Sequence, residues 1–542
     1  MRSATVFLLA ALAAVAQEPV SIRVDASAVV GPWRPVWSYF GYDEPNYTTA
    51  KNGRKLVGEL GKLGRVHIRA HNLLTSGDGT YALKWGSTNA YTETADGTPV
   101  YDWKIVDQIF DTWVRAGITP FVEIGFMPEA LSTKPEPYRH AWPTTPIAAG
   151  WAYPPKDYQK WAELVRQWVR HEVARYGLAE VETWSWEVWN EPDIEYWQGT
   201  PEEYDKMYDF AARAVKGVSL RMRVGGPATT GPDGRSGAAF LRQFLEYCAR
   251  TGAPLDFVSY HAKGRPEVAE GHVRMGLARN LQDVAAGLDI LTSFPQYRNL
   301  PIILSESDPE GCAACSARTH PQNAYRNGAL YPCYTAVALS SILKLADRYK
   351  ANIEGMLTWA FEFEDQPYFD GFRTLATNGI DKPVLNLFRM AGLMQGNRVR
   401  VESSGAVSPD DIVRGGVREK PDIDALATKW DRGVSVLVWN YHDDDVAAPD
   451  ASVSLALVGL PSGVKRVQVR HYRIDADHSN AWTGWKQMGS PQNPTPEQYA
   501  RLEAAGQLQM LGSEQSMAAE GGRVNLSFSL PREAVSLVQV SW

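Results

Sequence analysis

Short apolar runs alternate with longer amphipathic ones from about residue 33 to about residue 395. The short runs are Val36–Gly41, Val66–Ala70, Pro120–Ile124, Thr183–Asn190, Arg223–Gly226, Phe257–His261, Pro301–Ser305 and Gly355–Trp359. Each has the length and the β-branched or aromatic content of a buried strand. Between them the apolar period lengthens to that of a helix: Trp161, Leu164, Val165, Trp168 and Val169 share one face, and that helix stops near Gly177. Thr200-Pro201-Glu202-Glu203 opens another, with a capping threonine and proline at the first helical position. Eight strand–helix alternations predict an α/β fold, a (β/α)8 TIM barrel with insertions. A doubly wound open sheet competes, but no glycine-rich phosphate loop follows the first strand.

After about residue 396 the long helices stop. Val434–Trp439, Val467–Tyr472, Val524–Leu530 and Val535–Val540 read as short strands punctuated by Gly, Pro and Asp, and predict a C-terminal β-sandwich. A short helix opens at Thr495-Pro496-Glu497-Gln498, and the extended segment Val20–Val24 is expected to join the sandwich. The expected division is a leader over 1–16, an N-terminal strand segment over 17–32, the barrel over 33–395 and the sandwich over 396–542.

A chain of 542 residues exceeds what one core organises, in keeping with two domains. The net charge of −7 argues against a nucleic-acid partner. Among 19 Trp and 24 Tyr, some rings could face sugars, although core packing accounts for most. Met1-Arg2, the apolar run Ala4–Val15 and the small residues at Ala14–Ala16 resemble a secretory leader cut before Gln17. The run is too short to span a bilayer. The expectation is a soluble secreted or periplasmic protein with no membrane partner; its oligomeric state is not legible. Cys312, Cys315 and Cys333 cluster, with Cys248 apart. A zinc site with His320 is conceivable, but in an oxidising compartment a disulfide between Cys333 and one of the pair is expected.

Catalytic side chains of such barrels stand at the C-terminal ends of strands. The fourth strand ends in Trp189-Asn190-Glu191-Pro192 and the seventh in Ser305-Glu306. These strands face each other across the barrel mouth, so two carboxyls share a pocket, the equipment for cleaving a glycosidic bond. Glu191 is the expected acid/base, raised in pKa by aromatic surroundings and a neighbouring carboxylate, and Glu306 the expected nucleophile. Glu187, deeper in the fourth strand, reads as an ion-pair partner of Arg69. The remaining strand ends nominate Arg69, His71, Phe126, Asn190, Tyr260, His261, Lys263, Asp308, Trp359 and Glu362 as substrate-binding residues. No dense carboxylate cluster suggests a metal, and no metal or cofactor is expected.

Trp184–Asp193 resembles the Trp-x-Phe-Glu-x-Trp-Asn-Glu-Pro-Asp signature of family 39 glycoside hydrolases, with Trp186 in place of Phe. Phe121–Pro128, Gly225-Gly226-Pro227, His478–Ala481 and Met488–Gln492 are similar to other stretches of that family. The resemblance implies a retaining mechanism with Glu191 as acid/base and Glu306 as nucleophile, and an oligosaccharide or glycoside substrate. The family includes β-xylosidases and α-L-iduronidases. Phe121–Pro128 and Asp381-Lys382-Pro383 look xylosidase-like. Ser305-Glu306-Ser307-Asp308-Pro309, His261-Ala262-Lys263-Gly264 and Arg373-Thr374-Leu375 look iduronidase-like, and there Lys263 and Arg373 would bind a sugar carboxylate. The favoured expectation is a β-xylosidase, the alternatives a uronidase or a catalytically silent carbohydrate-binding protein.

Overall fold

The computed structural model describes residues 18–75, 77–81, 90–140, 147–148 and 150–542; the expected leader lies outside them. Eight parallel strands close into a barrel: Tyr39–Tyr42, His67–Ala70, Thr119–Ile124, Ser185–Val188, Arg223–Thr229, Phe257–Lys263, Ile302–Asp308 and Ile353–Trp359. All eight fall on the runs expected from the hydrophobic pattern. Helices such as Tyr158–Tyr176 and Pro201–Lys216 pack outside; the expected Thr200 capping box with Glu203 forms, and the Asp157 carboxylate takes two backbone amides at the start of the other helix.

Side chains alternate in and out along each strand, so the barrel interior fills in layers. The lowest layer is apolar, with Tyr39, Phe121, Phe257, Ile303 and Leu357 packed together. Two residues further along, the same inward parity brings Arg69, Glu123 and Glu187, all wholly buried. The mouth comes next. The seventh strand breaks the alternation: Tyr260 pairs with Leu304, but His261 pairs with Glu306, leaving Ser305 as an extra residue. Ile303 faces inward, so an unbroken strand would turn Ser305 inward and Glu306 toward the helices. The bulge re-aims Glu306 into the mouth.

Apart from short two-stranded ribbons, the strands outside the barrel form one curled ten-stranded sheet. Its strand Val20–Pro32 lies between Asn397–Ser403 and Ala451–Val458, antiparallel to the first and parallel to the second. The sheet curls over an apolar core including Ile22, Val24, Val436, Val438, Val453, Leu455 and Val538. Along Gly433–Tyr441 the parity divides two interiors: Val434, Val436 and Val438 enter that core, whereas Leu437, Trp439 and Tyr441 join the barrel's core. The sandwich is thereby seated on the barrel through helix Leu330–Tyr349 and its neighbours.

Between strands Arg466–Ile474 and Val524–Leu530 the chain makes an excursion carrying helices Ala481–Gln487 and Pro496–Ala505. It reaches the loop after the eighth barrel strand, where Phe369 and Ile380 pack on Trp485 and Leu502. The Tyr368 amide donates to Gln492 Oε1 at 2.9 Å, and the Tyr499 hydroxyl donates to the Asn378 carbonyl at 3.1 Å.

The disulfide differs from expectation. Cys312 pairs with Cys315, whose Cα atoms lie 5.5 Å apart in one loop. Cys333 sits inside helix Leu330–Tyr349 facing the C-terminal sheet, its thiol beside the Asn440 and Ala534 carbonyls. Nearness in sequence to the pair did not put it on the same side of the helix. Cys248 and Cys333 are free and buried, and burial raises both thiols. Iodoacetamide should therefore label no cysteine in the native oxidised protein, two after denaturation, and four after denaturation with reductant, counted by intact mass. Labelling of one native thiol would contradict this placement.

Candidate active site

The fourth strand ends on an irregular backbone. Trp189 and Glu191 both take positive φ, 76° and 42°, which side-chain-bearing residues rarely adopt. Glu191 is fixed there by its amide, which donates to the Ala228 carbonyl at 2.8 Å. The outcome is that Asn190 and Glu191 both lie at the mouth. The Arg69 guanidinium donates to Asn190 Oδ1 at 3.0 Å, and His261 Nδ1 lies 2.8 Å from Glu191 Oε1.

Arg69 organises the layer beneath. It contacts Glu123 at 2.9 Å, Glu187 at 2.5 Å and Glu306 at 3.4 Å, with its own side chain wholly buried. The expected Arg69–Glu187 pair is present, within a larger network than the sequence suggested. Such an arginine is retained because its partners stay charged around it; removing one partner leaves a buried charge exposed to low dielectric. Burial lowers the Arg69 pKa, but Glu187, Glu123 and Glu306 outweigh it, so it remains fully cationic. Burial pushes Glu123 up to about 7 against the pull of His71 and Arg69.

Glu306 is gripped from several sides. Lys263 Nζ contacts its Oε2, His261 Nδ1 stands 3.8 Å from the same oxygen, and His71 Nε2 stands 3.5 Å from Oε1. Burial raises its pKa, yet His261, Lys263 and His71 outweigh that and hold it well below the usual carboxylate range. For Glu191, burial and Glu306 push upward as the sequence reading expects. The His261 hydrogen bond and the nearby Lys263 charge outweigh them, and the net direction is down. Glu306 is the more strongly depressed of the two, so a proton entering the pair goes to Glu191. One oxygen of each carboxyl and a His261 nitrogen all lie within 4.8 Å of one another.

Aromatic rings wall the site. Phe126 stacks on Tyr196 with centroids 5.3 Å apart, and His71 lies 4.3 Å from Trp359. The Arg69 guanidinium sits 5.1 Å from the Trp359 ring. Behind Glu306, Asp308 accepts the Trp359 amide at 2.9 Å and is approached by Lys263 at 3.7 Å and Arg373 at 3.5 Å. Arg373 is wholly buried, donating to the Trp359 carbonyl and pairing with Glu310 at 2.6 Å; Arg326 pairs with Glu310 at 2.7 Å.

Two nominated residues are not brought to this cluster. Tyr260 adjoins His261 in a strand and so points the opposite way; its hydroxyl donates to the Val284 carbonyl of helix Leu277–Thr292. Glu362 turns within the loop after the eighth strand and accepts the Gly379 amide, with Glu364 and Asp381 nearby. Conversely, Asp43 and Glu123 belong to the site but were not nominated: Asp43 lies 2.8 Å from His71 Nδ1, and Glu123 Oε2 lies 3.2 Å from His71 Nε2. Both carried a signal. Asp43 follows the first strand, and Glu123 is a carboxyl inside an otherwise apolar third strand. Among the described residues, two groups have donor atoms close enough for a metal ion: Glu191–His261–Glu306, and Asp107–His171–Glu172 between two outer helices. Each already has a side-chain cation against one carboxylate, Lys263 on Glu306 and Arg175 on Asp107.

The sequence model of glycosyl hydrolases family 39 matches residues 20–522. A β-xylosidase of Geobacillus stearothermophilus is 28% identical over 498 residues, spanning 90% of this chain and 88% of its own. An α-L-iduronidase of Mus musculus is 24% identical over 576 residues, spanning 98% and 82%. Among solved structures, the fold is similar to that of the family enzyme from Xanthomonas axonopodis pv. citri, with a TM-score of 0.76, 23% identity and coverage of 97% and 98%.

Proposed function

From the premise that this chain belongs to family 39 of the glycosyl hydrolases and is a glycosidase acting on O-glycosyl bonds, we propose a retaining β-xylosidase that releases terminal xylose from xylo-oligosaccharides. Glu306 is the nucleophile and Glu191 the acid/base. The observation that carries the mechanism is the approach of their carboxyl oxygens to within 4.8 Å. Retaining enzymes hold the two groups roughly 5 Å apart, whereas inverting ones leave roughly 6.5–9.5 Å for a water. Protonated Glu191 gives its proton to the departing oxygen while the Glu306 carboxylate attacks the anomeric carbon. The Glu191 carboxylate then takes a proton from water as that water displaces Glu306. Asn190, oriented by Arg69, is placed to hold the sugar 2-hydroxyl, a contact that strengthens as charge develops on the ring.

A neutral sugar is favoured by the charges around the site. Lys263, Arg373 and Arg326 are matched by Glu306, Asp308 and Glu310. Arg373 is wholly buried behind Asp308 and turned to Glu310, so it presents no guanidinium face to a uronate. A sugar carboxylate would therefore enter as an uncompensated buried charge. The β-xylosidase similarity points the same way. The uronidase reading retains Lys263, whose side chain is 17% exposed.

A panel of aryl β-xyloside, β-glucoside, α-arabinoside and iduronide tests this. The β-xyloside should exceed the iduronide in kcat/KM by at least about 100-fold, or about 2.7 kcal/mol. Turnover of the iduronide alone, lost in Lys263→Ala, would overturn the xylosidase reading. Export is supported by the leader-like sequence at 1–16 and by the Cys312–Cys315 bridge, a bond that oxidising compartments sustain.

A further inference from the structure

His261 stands between the two carboxyls on the sixth barrel strand with its side chain wholly buried. Its Nδ1 is engaged by Glu191 Oε1 at 2.8 Å, while its Nε2 is buried and has no hydrogen-bond partner among the described residues. A neutral imidazole has one N–H to place. On Nε2 it would be a buried donor with nothing to accept it, and Nδ1 would have to receive a proton from Glu191. On Nδ1 it meets Oε1, and Nε2 is left as a bare acceptor, the less costly vacancy of the two.

We propose that His261 carries its ring proton on Nδ1 and, as a fixed donor to Oε1 of Glu191, assigns the catalytic proton to the other carboxyl oxygen, Oε2. This rests on the reading of Glu191 as acid/base. With Nδ1–H aimed at Oε1, a proton on Oε1 would turn that oxygen into a hydroxyl, a poorer acceptor at 2.8 Å than a carbonyl oxygen. Protonation therefore falls on Oε2. In the first step the Oε2–H bond breaks as the leaving oxygen gains that proton. In the second, water loses a proton to Oε2 as its oxygen bonds to the anomeric carbon and the bond to Glu306 breaks. His261 neither gains nor loses a proton in either step. It is a positioning residue, holding one oxygen so that the other faces the bond to be cut.

The other charged or titratable groups around Glu191 are Lys263 and Glu306 from the sixth and seventh strands, Asp193 two residues on, and Tyr138 and Tyr196. The His261 hydrogen bond is the leading influence that lowers Glu191, so removing the imidazole removes a contact that favours the ionised carboxyl. Glu191 should then rise in pKa and stay protonated to higher pH.

The test joins spectroscopy to kinetics. In protein labelled with 15N-histidine, one imidazole, assigned by its absence in His261→Asn, should carry a proton on Nδ1 across the active pH range. His261→Ala should lose about 100-fold in kcat on an alkyl xyloside, and the alkaline limb of its kcat/KM profile should move to higher pH. In His261→Asn the side-chain amide can take the place of Nδ1–H, and both kcat and limb should return toward the parent. A neutral Nε2–H tautomer, with Nδ1 bare, overturns the proposal, as does an unmoved limb in His261→Ala or no recovery in His261→Asn. The parent spectrum decides the tautomer even if the alanine variant does not fold. Failure of the acid/base assignment itself reads out separately, as undiminished turnover in Glu191→Ala.

Discussion

Replacing Glu306 by alanine is expected to remove turnover by on the order of 10,000-fold or more, because no other group can form the covalent intermediate. The loss should fall on kcat with substrate still bound, since Trp359, Phe126 and Asn190 keep their own anchors. Adding azide to Glu306→Ala should restore part of the rate on an activated aryl xyloside. The small anion can occupy the vacated space and attack the same face, giving a xylosyl azide of inverted configuration. Glu306→Gln keeps the shape while removing the charge that Lys263 and Arg69 face. Its inactivity would show that the carboxylate, not the packing, carries the reaction. Retained turnover in both variants would remove Glu306 from the mechanism.

Glu191→Ala should behave differently according to the leaving group. On an alkyl xyloside or xylobiose, where the departing oxygen needs a proton, a loss of roughly 100- to 10,000-fold is expected. An activated phenol leaves without help, so glycosylation should continue and the glycosyl-enzyme should accumulate for want of a base. Azide needs no base; it should release that intermediate as the azide of retained configuration. The contrast between the two variants, inverted product in one and retained product in the other, assigns the two roles by NMR of the products. Equal losses on good and poor leaving groups would sink the acid/base role.

Much of this site was legible because two periodicities are strict. The eight apolar runs gave the strands, and a period of two then puts Arg69 with His71, and His261 with Lys263, on single inward faces. The same rule excludes Tyr260, which sits between such residues and belongs to the helical layer. Strand ends found Glu191, and would have found Asp43 had the first strand been taken as far as the rest. The Ser305 bulge was beyond reach. It depends on how two backbones pair, and Glu306 was nominated as the carboxyl ending an apolar run, not because parity aims it inward. In the sheet, Asn397–Ser403, Asp422–Trp430 and Ala451–Val458 were missed. Arginines interrupt Asn397–Ser403, and buried Asp422 and Asp424 give Asp422–Trp430 the polarity of a loop. Both carboxyls are tolerated because Trp439 Nε1 donates to Asp422 and Lys344 pairs with Asp424. The disulfide misreading has a related source, since helix phase rather than spacing in the sequence turned Cys333 away.

The strand Val20–Pro32 has a consequence for how the chain is made. It leaves the ribosome before the barrel, yet both its neighbours, Asn397–Ser403 and Ala451–Val458, are made only after the whole barrel. At ordinary synthesis rates that interval is roughly tens of seconds. Throughout it the alternating valines and isoleucine of this segment have no sheet to enter, while the barrel can already be closing beside them. The sandwich is thus not a bead threaded after the catalytic domain but a clasp whose parts are translated on either side of the barrel. A gene cut at the apparent domain boundary would give two products, one holding a strand without its sheet and the other a sheet without that strand.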